Sequence, residues 1–308
     1  MFFENADQLA ARGVLYPSYE ETPAARSVNH QRLAWHIHDR RISGEALKDW
    51  AMSLAQAEAA SIVLSAQDFC RFRDVSFLGV FLDIFAVEVV FYVRRQDEWV
   101  NSWYNLAVKW PYDARICRSD PVEFLNYLDE FHWIRYFDLA ERWAKRIGRE
   151  RVHIRVMEPG QVVDPVADIR ALAGMEPDTQ AGSGETAMQE ERLNASLPSD
   201  QLELLRRLGT FRYPDAVRMK VINAVRKVAS AAGTNVYARE IRQLIVDHFA
   251  GQNQKLASLY LGRSDGVLFR DMEFPENPKE PAGGRDHRAV YSFIRGIIRE
   301  FNRGGGQS

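Results

Sequence analysis

The segment VVFYVRRQDEWVNSWYNLAVK, residues 89–109, carries an apolar run into two consecutive arginines. β-Branched and aromatic residues fill the run to Val93, and a helical pattern opens near Gln96-Asp97. Arg94 therefore stands where a strand hands over to a helix. In open α/β sheets, ligands bind beyond the carboxyl ends of the strands. A helix N-terminus there offers free N–H donors and the positive end of the helix dipole, which suit a phosphate. Arg94 adds a forked, permanently charged donor. Ser102, at Arg-x7-Ser spacing within the helix, adds a neutral hydroxyl. Taken alone, an arginine at a strand end also serves as a surface ion-pair partner, and a helix serine as a solvated residue.

A second group surrounds IVLSAQDF, residues 62–69. Asp68 is a carboxylate that could take a proton, whereas Gln67 beside it cannot at neutral pH. His30 follows Asn29 in a loop and titrates near neutrality, as a general base should. Asp68 and His30 are thus the candidate catalytic residues, and Arg94 and Ser102 the candidate ligand-binding pair. His36 and His38 lie two apart, but no carboxylate or Cys completes a metal set, so no metal is expected. Cys70 has no base paired with it in sequence and reads as a buried thiol. His248 falls on the apolar face of a long helical pattern and reads as a core or edge histidine. Trp99, Trp103 and Trp110 recur at helical spacing, which marks core rather than a sugar platform.

Periodicity predicts the elements that must position these residues. SIVLSA (61–66), VEVVFYV (87–93) and RVHIRVM (151–157) read as strands, the second covered on both faces. Helical patterns over 45–59, 99–110 and 137–148 separate them. That alternation implies parallel strands with right-handed crossovers, an α/β three-layer sheet flanked by helices. Val75 to Val93 is apolar enough to suggest a membrane span, but Asp83 and Glu88 would each cost about 2.5–3.5 kcal/mol there. FLGVFLDIF is instead read as a short buried helix. Beyond residue 160, PDTQAGSGETAMQE (177–190) reads as a loop and PENPKEPAGG (275–284) as a linker. Four helices are expected in this part: one capped by Ser199, then 214–230, 237–261 and 286–302.

The chain has 308 residues, with 40 Lys+Arg against 42 Asp+Glu and a net charge of −2. Such a balance excludes the broad basic field that nucleic acid or an anionic membrane selects, so an anion must be held by a local cluster. Two cysteines make no disulfide framework, and MFFENADQLAARG shows no apolar leader, so a cytoplasmic setting is expected.

These segments, in this order, resemble the bacterial P-loop sulfotransferases. The strand ending in Arg94 with Ser102 on the next helix is similar to their 3′-phosphate-binding element. ARGVLYPS (11–18), NHQRLA (29–34) and IVLSAQDF (62–69) resemble their first helix exit, the loop beyond it and the strand facing the acceptor. RYFDLAERWAKRIGRERVHIRVME (135–158), RLNASL (192–197) and NQKLASLYLGRSDGVLF (253–269) are like their later helix, strand and helical tail. The resemblance implies a P-loop-NTPase-like α/β domain over 1–270, with 271–308 as a linker and C-terminal helix on the same domain. It implies 3′-phosphoadenosine-5′-phosphosulfate as donor, with Arg94 and Ser102 on its 3′-phosphate. Sulfonate would pass to a hydroxyl or amine of a glycan, lipid or small molecule.

Two departures stand out. The family opens with a strand, a Lys- and Gly-containing loop for the 5′-phosphosulfate and a helix, whereas this chain is expected to start inside that helix. Gly182-Ser183-Gly184, Gly283-Gly284 and Gly304 to Gly306 do not sit between a strand and a helix. Many relatives carry Glu in a Ser-x-Glu turn where this chain has Ser65-Ala66-Gln67-Asp68. A sulfotransferase and a non-catalytic binding protein of the same fold are both compatible with these departures. A P-loop kinase relative would need a Walker Lys-Ser/Thr and paired Mg²⁺ carboxylates, which are not found. A sheet short of its first strand should show a gap or an unpaired edge and exposed apolar surface.

Overall fold

The computed structural model describes residues 9–19, 29–158, 161, 165–174, 196–209 and 213–274. The loop expected at 177–190, the linker at 275–284, the helix at 286–302 and the three glycine clusters lie outside these residues. Among the described residues there are four strands: β1 (Val14–Leu15), β2 (Ser61–Ile62), β3 (Val89–Val93) and β4 (Val152–Val156). The helices of the first half, among the described residues, include α1 (Gln31–His38), α2 (Gly44–Ala55), α3 (Leu78–Leu82), α4 (Gln96–Lys109), α5 (Ala114–Arg118), α6 (Pro121–Phe124) and α7 (Tyr136–Ile147). Those of the second half are α8 (Pro165–Leu172), α9 (Ser199–Leu208), α10 (Asp215–Arg226), α11 (Arg239–His248) and α12 (Ala250–Leu261).

The chain forms two compact units. The first combines Met1–Arg94, His132–Gly184 and Ala250–Asp271; the second combines Arg95–Phe131, Glu185–Phe249 and Met272–Ser308. Residues 1–270, expected as one domain, contribute to both.

All four strands belong to the first unit. They pair in parallel, as the alternation of strand and helix predicts, β1 with β2 and β3 with β4 in register Val89↔Val152 to Val93↔Val156. A continuous three-layer sheet is not what the described residues show: they form two separate two-stranded sheets amid mostly helical structure. Helix α8 touches both. Asp168 accepts from Arg155 of β4 at 2.9 Å and from the Tyr92 hydroxyl of β3 at 2.7 Å, while the Ala173 carbonyl just beyond the helix accepts from Ser61 of β2. The expectation that VEVVFYV is covered on both faces also needs correction. Val89 to Tyr92 are only half-buried and Val93 alone is buried, because β3 has a single ladder partner among the described residues.

Strand β4 alternates as a half-covered strand should. Val152, Ile154 and Val156 are buried, while His153 and Arg155 face Glu88 and Asp168. Helix α7 buries Tyr136, Leu139, Ala140, Trp143 and Ile147 on one stripe and packs on β4 and α12. It ends at Gly148, with φ of 91°, where a Cβ would strike the Glu150 carboxylate. A second core gathers Leu33, Leu47, Ala51 and Phe81 from α1, α2 and α3. The short helix expected in FLGVFLDIF is α3, and among the described residues no helix is long and apolar enough to cross a membrane.

In the second unit α4 is the central helix, packed by α9 and α11. Two of its asparagines act as clamps for passing chain: Asn101 bonds the backbone of Thr234 and Val236, and Asn105 that of Leu197. Trp99 stacks on Trp103, which meets Phe131 edge-on; of the tryptophan stripe expected as core, Trp103 is buried, while Trp99 and Trp110 are half-buried. Two boundaries differ from expectation. Ser199 does not cap α9; Pro198 holds the cap position, and the Ser199 N–H is satisfied by the Gly233 carbonyl at 2.9 Å. The helix expected over 237–261 is two helices, broken at Phe249, with α11 in the second unit and α12 in the first. His248 ends α11 exposed rather than on an apolar face.

Candidate functional site

The carboxyl ends of the parallel strands lie in the first unit, and those of the β1–β2 pair and of β3 carry groups singled out from the sequence. At the β1–β2 end, His30 is buried, 1 % exposed. Its Nδ1 accepts from the Ser65 N–H at 3.0 Å, which fixes Nε2 as the protonated nitrogen, donating to the Pro17 carbonyl at 2.7 Å. The His30 N–H returns a bond to the Ser65 carbonyl at 2.8 Å. Tyr16 meets the ring edge-on at 4.7 Å and hydrogen-bonds the Ser65 side chain. Burial lowers the His30 pKa, against the pull of its two backbone bonds. His30 is therefore corrected as a candidate base: both ring nitrogens are committed, and the imidazole braces three segments of backbone. It does not reach the Ser65 hydroxyl as a nucleophile's base would.

Asp68 sits on the 3-10 turn Gln67–Arg71 that follows β2. Its Oδ2 accepts from the Trp35 indole at 2.7 Å and from Arg71 at 3.2 Å. Oδ1 bonds none of the described residues, so one oxygen stays open to a proton. Cys70 donates to the Gln67 carbonyl, and burial with the nearby Asp68 charge pushes its thiol up to about 12. It is half-buried rather than buried as expected, and with its thiol held protonated it is no thiolate nucleophile. His36 bonds the Tyr19 hydroxyl, and His38 pairs with Asp39.

At the end of β3, neighbouring arginines take opposite roles. Arg94 is exposed, and its side chain forms no hydrogen bond or ion pair among the described residues, while its carbonyl accepts from the Tyr136 hydroxyl at 2.8 Å. Arg95, in the second unit, is 4 % exposed and caps α4. Its Nε donates to Asp97 at 2.7 Å, and Arg242 of α11 donates to the other carboxylate oxygen at 2.8 Å. Phe274 lies against both guanidinium groups, 4.4 Å and 5.2 Å from its ring centre. Asp97 is fully buried, and Asp97 and Glu98 already complement the dipole of the first turn. The free N–H donors expected at this helix start are thus enclosed, and Arg94 on the preceding residue is the exposed donor. Ser102 lies mid-helix, half-buried, with a hydroxyl that bonds no described residue.

One grouping in the first unit has no local signal in the sequence. Arg73, Arg142 and Arg71 act on His132, whose pKa is pushed down to about 4 by burial and then by these charges. The four come from three separate segments.

With this geometry in hand, the chain is similar to an uncharacterized protein of Archaeoglobus fulgidus, 23 % identical over 223 residues, covering 70 % of this chain and 55 % of that protein. The chain thus spans about half the length of the curated relative it matches. No protein-family model and no solved structure matches it.

Proposed function

We propose that this chain is a sulfotransferase-like protein that binds 3′-phosphoadenosine-5′-phosphosulfate through its 3′-phosphate, with Arg94 and Ser102 as the donors. The observation that carries it is a contrast of commitment along one stretch of chain. Arg95, Asp97, Asn101 and Asn105 are each bonded into the fold. Arg94 and Ser102, the two residues at Arg-x7-Ser spacing, are spared, and a spared arginine at a parallel strand's carboxyl end suits a phosphate. The division of the strands into two parallel pairs linked by α8 also supports a sheet with room for one more strand.

In such a reaction the acceptor oxygen or nitrogen forms a bond to sulfur as the bond from sulfur to the bridging 5′-phosphate oxygen breaks. The acceptor's proton passes to a base, and adenosine 3′,5′-bisphosphate leaves. With His30 committed, Asp68 Oδ1 is the remaining candidate for that proton. The acceptor would be a glycan, lipid or small molecule. Free Cys70 and Cys117, both held as thiols by burial, agree with a cytoplasmic setting.

A second reading, nucleotide binding without transfer, is favoured by one observation: no Lys- and Gly-containing loop joins a strand to a helix among the described residues. Calorimetry with adenosine 3′,5′-bisphosphate tests the common part. Binding that is abolished in Arg94→Ala and weakened several-fold in Ser102→Ala supports the clamp; equal affinity in all three proteins refutes it. Transfer of labelled sulfonate to a panel of hydroxyl and amine acceptors then separates the enzyme from the binding protein.

A further inference from the structure

In the first unit three arginines crowd one buried histidine. Arg71 and Arg73 flank Phe72, which is itself buried, and the Phe72 carbonyl accepts from Arg142 of α7 at 3.0 Å. His132 opens the 3-10 turn His132–Ile134, is 9 % exposed, and hydrogen-bonds the backbone of Arg71. These backbone bonds draw two turns and a helix together, and the charges of Arg73, Arg142 and Arg71 all act on His132. The Arg71 guanidinium lies over Trp133, 5.4 Å from the ring centre, which narrows its freedom further.

Carboxylates meet part of this charge, but among the described residues none pairs with Arg73. Asp68 pairs with Arg71 at 3.2 Å, Asp39 feels Arg71, and Asp138 acts on Arg142. Arg73 is exposed and bonds none of the described residues, yet it bears on both His132 and Arg142. Two nitrogens of the cluster, Arg71 Nε and His132 Nδ1, are buried with no hydrogen-bond partner. Buried polar atoms are nearly always paired, so Arg71 Nε, a buried donor, marks a place for an acceptor, and His132 Nδ1, a bare lone pair in the neutral ring, can join it once protonated. Arginine donors carried on separate segments suit a group that presents acceptor oxygens in several directions, as a tetrahedral oxyanion does.

We propose that Arg71, Arg73 and Arg142, with His132 at the base, bind a tetrahedral oxyanion, a sulfate or phosphate group. The anion would accept from Arg71 Nε and the Arg73 and Arg142 guanidinium groups, and its charge would draw a proton onto His132 Nδ1, converting that atom to a donor. The site is independent of Arg94 and of the nucleotide proposed to bind there.

The test is an NMR titration of the full chain with sodium sulfate, against sodium chloride at equal ionic strength. The His132 imidazole signals are identified by their loss in His132→Gln. Sulfate should move these signals saturably and raise the pH at which the ring titrates. Arg73→Ala should weaken that response by about tenfold, the loss of one charge-assisted contact, and Arg73→Lys should keep part of it. Because the Arg73 side chain bonds none of the described residues, the variant should keep the wild-type melting temperature. Arg94→Ala should respond as the wild type does. Glucose 6-sulfate, titrated in parallel, separates the sources: tighter binding than free sulfate identifies a sulfated ligand, and equal binding identifies the free ion. Sulfate acting no differently from chloride, or an undiminished response in Arg73→Ala, would overturn the site.

Discussion

The end of β2 and the end of β3 both carry residues suited to chemistry, and the fold treats them differently. Beyond β2, His30 is consumed by Pro17 and Ser65, and one oxygen of Asp68 by Trp35 and Arg71. Beyond β3, the structural duties fall on Arg95, which leaves Arg94 spare. A reactive residue type becomes a site only where the surrounding polar groups have already satisfied one another. The same distinction separates the buried histidines: His30 has two partners for its ring, while Nδ1 of His132 has none.

Removing the residues that the fold consumes should cost stability, in proportion to what is left unpaired. Asp97→Ala strands two buried arginines and should destabilise the second unit by about 3–5 kcal/mol in urea unfolding. His30→Ala leaves the Ser65 N–H and the Pro17 carbonyl unpaired in the interior and should cost about 2–4 kcal/mol. Bisphosphate affinity should survive that change. If His30→Ala folds with wild-type stability, its assignment as a brace is wrong.

A smaller effect follows from pH. The folded pKa of His30 and of His132 is depressed below that of the free side chain, His132 to about 4. The unfolded chain therefore binds more protons below about pH 6.5, and stability falls as pH drops from there. Urea midpoints at pH 7 and pH 5 should show the decline, shallower in His132→Gln. Sulfate should reduce it further by favouring protonated His132 in the folded state.

How much of this could be read from the sequence follows from how local each cause is. VEVVFYV and RVHIRVM contain the two five-residue strands because long β-branched runs announce themselves. Val14–Leu15 left no such trace, since two residues show no period. The break at Phe249 was hidden because the apolar spacing runs through it, and Gly251, two residues on, was absorbed into the expected helix. His30 looked like a free base because its partners lie 13 and 35 residues away. Asp97 looked like a helix-start acid, and so it is, but its second arginine is 145 residues distant. The spacing of Arg94 and Ser102 was legible; that both are uncommitted required the structure.

Arg94→Ala and Ser102→Ala should be the mildest changes to the fold, each within about 0.5 kcal/mol of wild type. The most direct test therefore measures fold and ligand together, by thermal unfolding of wild type and Arg94→Ala with and without adenosine 3′,5′-bisphosphate. The two proteins should melt alike without ligand, and saturating bisphosphate should raise the melting temperature of the wild type alone. An equal rise in both, or none in either, would contradict the assignment of Arg94 to a ligand.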